Sequence, residues 1–263
     1  MKALKADIKL SSMISMRCPL GNFTYPVPPP LTIKGLLANA LWQVYDTSWD
    51  KDTEVIPKQH PAITWLNLVE KKLGNWTWVQ PKGLIVSGYS TLKSIFSKGG
   101  TGGKLILGKG ASVDTDILPR QFLFAPEGFR VFVASEDGDF LEKVKEALGH
   151  APVYLGDSEG LANVMNPEVV DARKEQANGP VSISVYFPDG LALDNGIDGE
   201  GGTLYWVNER AIMPGDKKDK MVSYLFPVIQ RGKTFRPSTL QVTFKEGTKL
   251  LKAFDEILPL GRE

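Results

Sequence analysis

Cysteine is almost missing from this chain of 263 residues, and histidine nearly so, with one Cys and two His. A lone Cys18 excludes an internal disulfide and any thiolate zinc cluster. The two histidines, His60 between prolines and His150 after a helix, have no nucleophile near them in sequence to act on as general acid or base. Long apolar runs are missing as well. None approaches the ~18 residues that a membrane span requires, and MKALKADIKL alternates charged and apolar residues where a signal peptide would carry an apolar block. A soluble, cytoplasmic protein is expected, with no membrane partner, no cofactor and no metal. Charge of one sign is not in excess either: 31 Lys and Arg stand against 30 Asp and Glu. Net charge therefore announces no polyanion, and any such argument has to rest on distribution. What is present is a 42% hydrophobic composition, enough for a substantial core in one large domain or two small ones.

One local absence is informative. Between Glu70 and Asp114 there is no acidic residue, while Lys71, Lys72, Lys82, Lys93, Lys98, Lys104 and Lys109 all fall there. Six glycines between Gly99 and Gly110 would let part of this segment mould to a backbone. Lysines that neutralise phosphates release counterions, which gives sequence-independent affinity that falls with salt. The competing reading is a solvated loop whose lysines confer solubility.

Residues 23–41, FTYPVPPPLTIKGLLANAL, combine a proline run with an apolar helix. Each proline fixes φ and removes an N–H, so Pro26 to Pro30 form a stiff extended lead-in. Ile33, Leu36, Leu37, Ala40, Leu41 and Val44 then recur at helical spacing. The arm presents a helix N-terminus beside the first strand, and Gly35, read as part of the first turn, leaves room for an approaching polyanion. Phe23 and Tyr25 either stack on bases or close over the helix start as a hydrophobic staple.

The elements follow a recognisable order. Leu4, Ala6, Ile8 and Leu10 alternate with Lys5, Asp7 and Lys9, a strand with one buried and one wet face. A second helix runs from Pro61 to Leu73 and stops at Gly74. Extended segments follow through Tyr89, then a flexible hairpin with KLIL (104–107) as one arm. FRVFVAS (129–135) is a strand. A short helix opens at Asp139 with Glu142 three residues on, and Pro152 to Leu155 return as a strand. Strand, helix, strand, strand, helix, strand, with one extra helix and an insertion, is the ferredoxin-like or RRM-like arrangement in an α+β chain. Beyond about Met165 come short extended runs at 181–187, 203–207, 222–229 and 240–244, closed by an amphipathic segment around Leu250 to Ile257.

Two motifs fail on inspection. Gly103 to Lys109 spells G-x-x-x-x-G-K, but Gly110 replaces the magnesium-binding hydroxyl and KLIL is strand-like. DNGIDGE (194–200) matches half a calcium loop, yet puts Tyr205 where the bidentate Glu belongs, and a hairpin turn explains it equally.

Three segments together resemble the Cas-five family, the CRISPR-associated RAMP-superfamily subunit that caps the five-prime handle of the guide RNA in type I Cascade complexes. They are LKADIKL with the proline lead-in and PPPLTIKGLLANAL, then LPRQFLFAPEGFRVFVAS, and then PVYLGDSEGLANV. The resemblance implies a ferredoxin-like domain over residues 1–165, a β-hairpin thumb inserted at about 90–118, and a β-rich region over 166–263. It implies crRNA as ligand, the Cascade backbone and large subunits as partners, and target DNA met indirectly, in an archaeal-type I-A or I-B-like member. By position, Arg17, Lys34 and Gly35 would contact the handle backbone, with Lys93, Lys98, Lys104, Lys109 and Arg120 on the thumb. No catalytic residue is assigned, because the family's processing branch uses a tyrosine, lysine and histidine set with no residue-level match here. The alternative is a metal-independent endoribonuclease acting on repeat RNA through His60 or His150.

Overall fold

The computed structural model describes residues 1–16, 23–45, 61–94, 104–107, 111–114, 116–156, 160–209 and 221–262. The chain opens on β1 (Lys2–Leu10), followed by α1 (Pro30–Val44), α2 (Pro61–Leu73) and β2 (Thr77–Pro81). Then come β3 (Ile85–Ser94), β4 (Lys104–Leu107), β5 (Ala111–Asp114) and β6 (Asp116–Phe124). After β7 (Phe129–Ser135) and α3 (Gly138–His150), β8 (Val153–Tyr154) and β9 (Leu161–Asp171) return to the first strand. The rest is extended: β10 (Arg173–Gln176), β11 (Pro180–Ile183), β12 (Phe187–Pro188), β13 (Ala192–Asp198) and β14 (Thr203–Asn208). Last are β15 (Met221–Phe226), β16 (Val228–Arg231), β17 (Thr234–Pro237), β18 (Leu240–Phe244), β19 (Thr248–Ala253) and β20 (Glu256–Arg262). The class is α+β, rich in antiparallel sheet.

A five-stranded antiparallel sheet in the order β2-β7-β1-β9-β8 organises the molecule. Side chains alternate across a strand, so its two faces feed two cores. Leu4, Ala6, Ile8, Phe129, Val131 and Val133 join the buried stripes of α1, α2 and α3 on one face. Ala3, Trp78, Phe132 and Ala134 join Ile183, Val185, Leu240, Val242 and Leu251 from the later strands on the other. The face of β1 expected to be wet is therefore largely covered. Asp7 on it is only 9% exposed, and pairs with Lys82 and Arg130, each at 2.8 Å.

Several expected boundaries move. The strand that pairs with β1 on the side away from β7 is β9, running on past Met165 to Asp171, while Pro152 to Leu155 contribute only the two-residue edge strand β8. Asp137, not Asp139, caps α3, accepting from the Phe140 N–H at 3.0 Å. A cap precedes the first helical residue, and Gly138 already has helical geometry. The segment around Leu250 to Ile257 is the β19–β20 hairpin, turning on Phe254 and Asp255 in the left-handed region. DNG (194–196) is an irregularity within β13, between the Ala192↔Phe244 and Ile197↔Val242 pairs, in place of the expected turn between strands. Among the described residues no group of three or more His, Cys, Asp or Glu could hold a metal. There, too, no helix is long and apolar enough to cross a membrane.

Candidate nucleic-acid interface

Everything from β3 to β6 is inserted in the connection between β2 and β7. The Lys82 N–H donates to the Gly128 carbonyl at 3.1 Å and closes the base of that insertion. Gly128 has φ of 73° there, and a Cβ would lie 2.0 Å from the Ile8 carbonyl oxygen, so the position requires glycine. From this base β3 and β6 run out as a long antiparallel ribbon, paired from Val86↔Phe124 to Ser94↔Asp116. Beyond it, β4 and β5 pair from Lys104↔Asp114 to Leu107↔Ala111, so KLIL is one arm of a hairpin, as its pattern predicts. Pro119 lies in β6, which is the edge strand of the sheet β16-β17-β3-β6, where a missing N–H is tolerated.

Three segments meet at the root of this ribbon. Ile14 and Leu123 exchange both backbone hydrogen bonds, at 3.0 and 2.8 Å. Gln121 Oε1 accepts from the Thr24 N–H at 2.8 Å, and Thr24 Oγ1 from the Met16 N–H at 2.6 Å. The Tyr25 N–H donates to the Met16 carbonyl at 3.0 Å. Met16 and Thr24 are thus both anchored beside β6, just before the proline arm.

The arm itself is buried from Thr24 to Pro30. Tyr25 is a core residue: its hydroxyl donates to the Trp206 carbonyl at 2.6 Å and its ring stacks on Phe226. Of the two readings of Phe23 and Tyr25, packing describes Tyr25. The start of α1 is not the open anion site expected of it. Pro30 has no N–H, and the Thr32 and Ile33 N–H groups already donate to the Pro29 carbonyl, at 3.0 and 3.3 Å. Gly35 falls in the second turn of α1, and a Cβ there would meet nothing within 4 Å.

The cations divide. Lys34 is 0% exposed and its ammonium donates to the Glu209 carbonyl at 2.6 Å. Lys72 pairs with Asp137 at 2.7 Å and Lys82 with Asp7, so these two members of the basic segment brace the fold. The hydrogen bond from Lys72, joined by the Phe140 N–H, holds the Asp137 carboxyl below its ordinary pKa against the effect of burial. Lys93 stands opposite Ile117 near the outer end of the ribbon, Arg120 opposite Ser90, and Lys104 opposite Asp114. Arg17, Lys98 and Lys109 lie outside the described residues, as do His60 and Cys18. His150 is exposed at the last position of α3, over an open depression edged by Glu142, Lys145 and Glu146.

No family model matches the sequence, and no curated protein does. Among solved structures, a CRISPR protein from Archaeoglobus fulgidus is similar over 100% of both chains, with a TM-score of 0.52 and 15% identity. A chain of a CRISPR RNA-guided surveillance complex gives a TM-score of 0.40 at 15% identity, covering 97% of this chain and 91% of that one. A chain of the type III-B Cmr-beta complex bound to cognate target RNA gives 0.44 at 9% identity, covering 92% and 86%. The resemblance carried by residues 1–165 thus meets a likeness of fold that runs the whole length of the chain, and that fold is the fold of a CRISPR protein.

Proposed function

We propose that this chain is a non-catalytic, guide-RNA-binding subunit of a type I CRISPR Cascade complex. In this reading it caps the five-prime handle of crRNA, bridges the backbone and large subunits, and meets target DNA only through them. The observation that carries the proposal is the inserted β3–β6 ribbon, rooted between β2 and β7, whose outgoing side belongs to the lysine-rich stretch that has no acidic residue before Asp114. Among the described residues the ribbon is tied to the rest of the fold at its base, through Ile85 to Ser87 and Gln121 to Leu123, and its cations suit phosphates, whose contacts position without reading sequence. The unit β1-α1-β2-β7-α3-β9, with sheet order β2-β7-β1-β9, supports a ferredoxin-like reading of the half that holds the ribbon. The whole-length likeness of fold to the Archaeoglobus fulgidus CRISPR protein is in line with it.

The test is a titration of handle-bearing RNA across a range of salt. Replacing Lys98, Lys104 and Lys109 by Ala should weaken binding and lower the slope of log affinity against log salt by about 1 for each phosphate no longer neutralised. Lys34→Met is the control. Its ammonium is turned inward, so it should lower the melting temperature and leave the slope as it was. An unchanged slope in the triple variant would remove the thumb assignment. Specific cleavage of repeat RNA in the presence of a chelator, abolished by His150→Ala or His60→Ala, would replace the binding role with the endoribonuclease reading.

A further inference from the structure

The sheet β16-β17-β3-β6 has one face in the first core and one in solvent. Ile85, Leu123 and Phe235 point into the core, with Ser87 and Gln121 beside them. On the outer face, the pairs Arg231↔Thr234, Thr234↔Val86 and Val86↔Phe124 set four side chains in one row across all four strands. At a strand spacing of about 4.8 Å that row is roughly 14 Å long. Its apolar end is open: Phe124 is 49% exposed and Val86 37%. Its other end is basic, with Arg231 exposed, Arg236 exposed two residues along the same face of β17, and Lys233 exposed at the hairpin turn. Among the described residues Glu200 reaches this end, on Arg231 at 2.9 Å, and both partners are about 70% exposed, so solvent screens that pair.

Two residues further along the same face, Gly88 stands opposite Phe122, and a Cβ there would meet nothing within 4 Å. A glycine in a strand interior has no side chain to pack, and it marks a place where another group can come close to the backbone. The opening lies between the exposed aromatic end and the outer ribbon, with Arg120 two positions on along β6.

We infer that this outer face is a second nucleic-acid surface, on which bases of a single strand stack at Phe124 and over Gly88 while the phosphates run toward Arg231, Lys233 and Arg236. The inference rests on the RNA-binding reading above and assigns to it residues from the C-terminal region. Single strands are the fitting ligand because a flat aromatic sheet face takes splayed bases, whereas a duplex keeps its bases stacked inside. Cations at one end and rings at the other give phosphates and bases of an extended strand separate contacts along a row of about 14 Å.

The test uses the full chain and a short fluorescent oligouridylate, with Phe124→Ala, the double variant Lys233→Ala/Arg236→Ala, and the thumb triple variant in parallel. Losing a stacked base should weaken binding at least about fivefold. The double variant should lower the salt slope by about 1 to 2. Photocrosslinking with 4-thiouridine should place an adduct on the peptide that contains Phe124, and circular dichroism melts show whether each variant is folded. Should Phe124→Ala destabilise the chain, the Lys233→Ala/Arg236→Ala slope and the crosslink decide. If the thumb variant weakens binding while both sheet variants bind as wild type and no adduct forms there, this surface is overturned and the thumb reading stands. If the sheet variants lose affinity and the thumb variant does not, the thumb reading falls instead. Failure of the wild type to bind any single strand overturns both, and an unchanged RNA affinity with failed co-purification of a protein subunit makes the face a protein contact.

Discussion

Asp7 shows how a residue that reads as surface charge becomes a structural one. In sequence it is one polar tooth of an alternating strand. In the fold it lies on a sheet face that the later strands cover, held by Lys82 and Arg130. Burial alone would raise its pKa, but the hydrogen bonds from Arg130 and Lys82 outweigh it and hold the carboxyl below the ordinary value. A carboxylate with a depressed folded pKa contributes stability that is complete above its unfolded value of about 3.9 and is lost as pH falls through the folded one. Asp7→Asn should therefore cost roughly 1–3 kcal/mol at neutral pH. Its melting temperature should converge on that of the wild type only below about pH 4. A gap that persisted unchanged at lower pH would show that the pair contributes no charge-dependent stability. Lys34 makes the same point from the other sign. Its position in the strand–arm–helix region was legible, but its inward turn was not, because the Glu209 carbonyl that accepts from it is 175 residues away in sequence.

At the scale of elements, local signals were readable wherever local chemistry decides. The 3.6-residue period marks α1 and α2, the halt at Gly74 fits its φ of 55°, and the proline run marks the start of α1 at Pro30. FRVFVAS was legible as a strand for its β-branched and aromatic residues. That every other residue serves a different core could not be seen, because both faces are buried and the alternation vanishes. The second neighbour of β1, beside β7, was hidden for a similar reason: pairing is a non-local choice, and β9 with its exposed Leu161, Met165 and charged Glu168 reads as surface. The ribbon's root offers a direct check on how the insertion is oriented. Gly128→Ala adds left-handed strain and a Cβ in collision with the Ile8 carbonyl, and should cost at least about 2 kcal/mol by urea midpoint. Gly88→Ala, with open space around it, should be neutral or slightly stabilising, since alanine is easier to order than glycine in a strand. Equal effects at the two positions would contradict the geometry of the base.

At the scale of the whole molecule, one sheet carries two cores, and this sets what can fold alone. Residue 165 lies inside β9, the neighbour of β1. The first core draws Tyr186, Val207, Tyr224, Phe226 and Phe235 from beyond that point, packed with Tyr25 and the helix side of the sheet. Removing the later strands leaves Ala3, Trp78, Phe132 and Ala134 of the second core with no apolar cover, and it also takes away the Pro259 carbonyl that accepts from Trp78 Nε1 at 3.1 Å. Uncovering a sheet face of that kind exposes a contiguous apolar patch and an unpaired strand, the two features that drive association. A fragment of residues 1–165 should consequently be insoluble or bind a hydrophobic dye, although the resemblance to a RAMP domain is concentrated there. The full chain should unfold in one transition, with tryptophan fluorescence and circular dichroism melting together. A monomeric, cooperatively melting 1–165 fragment would instead make the C-terminal strands an appendage. The sheet face described above would then be split, Phe124 staying with the fragment that holds the ribbon and Arg231, Lys233 and Arg236 leaving with the appendage.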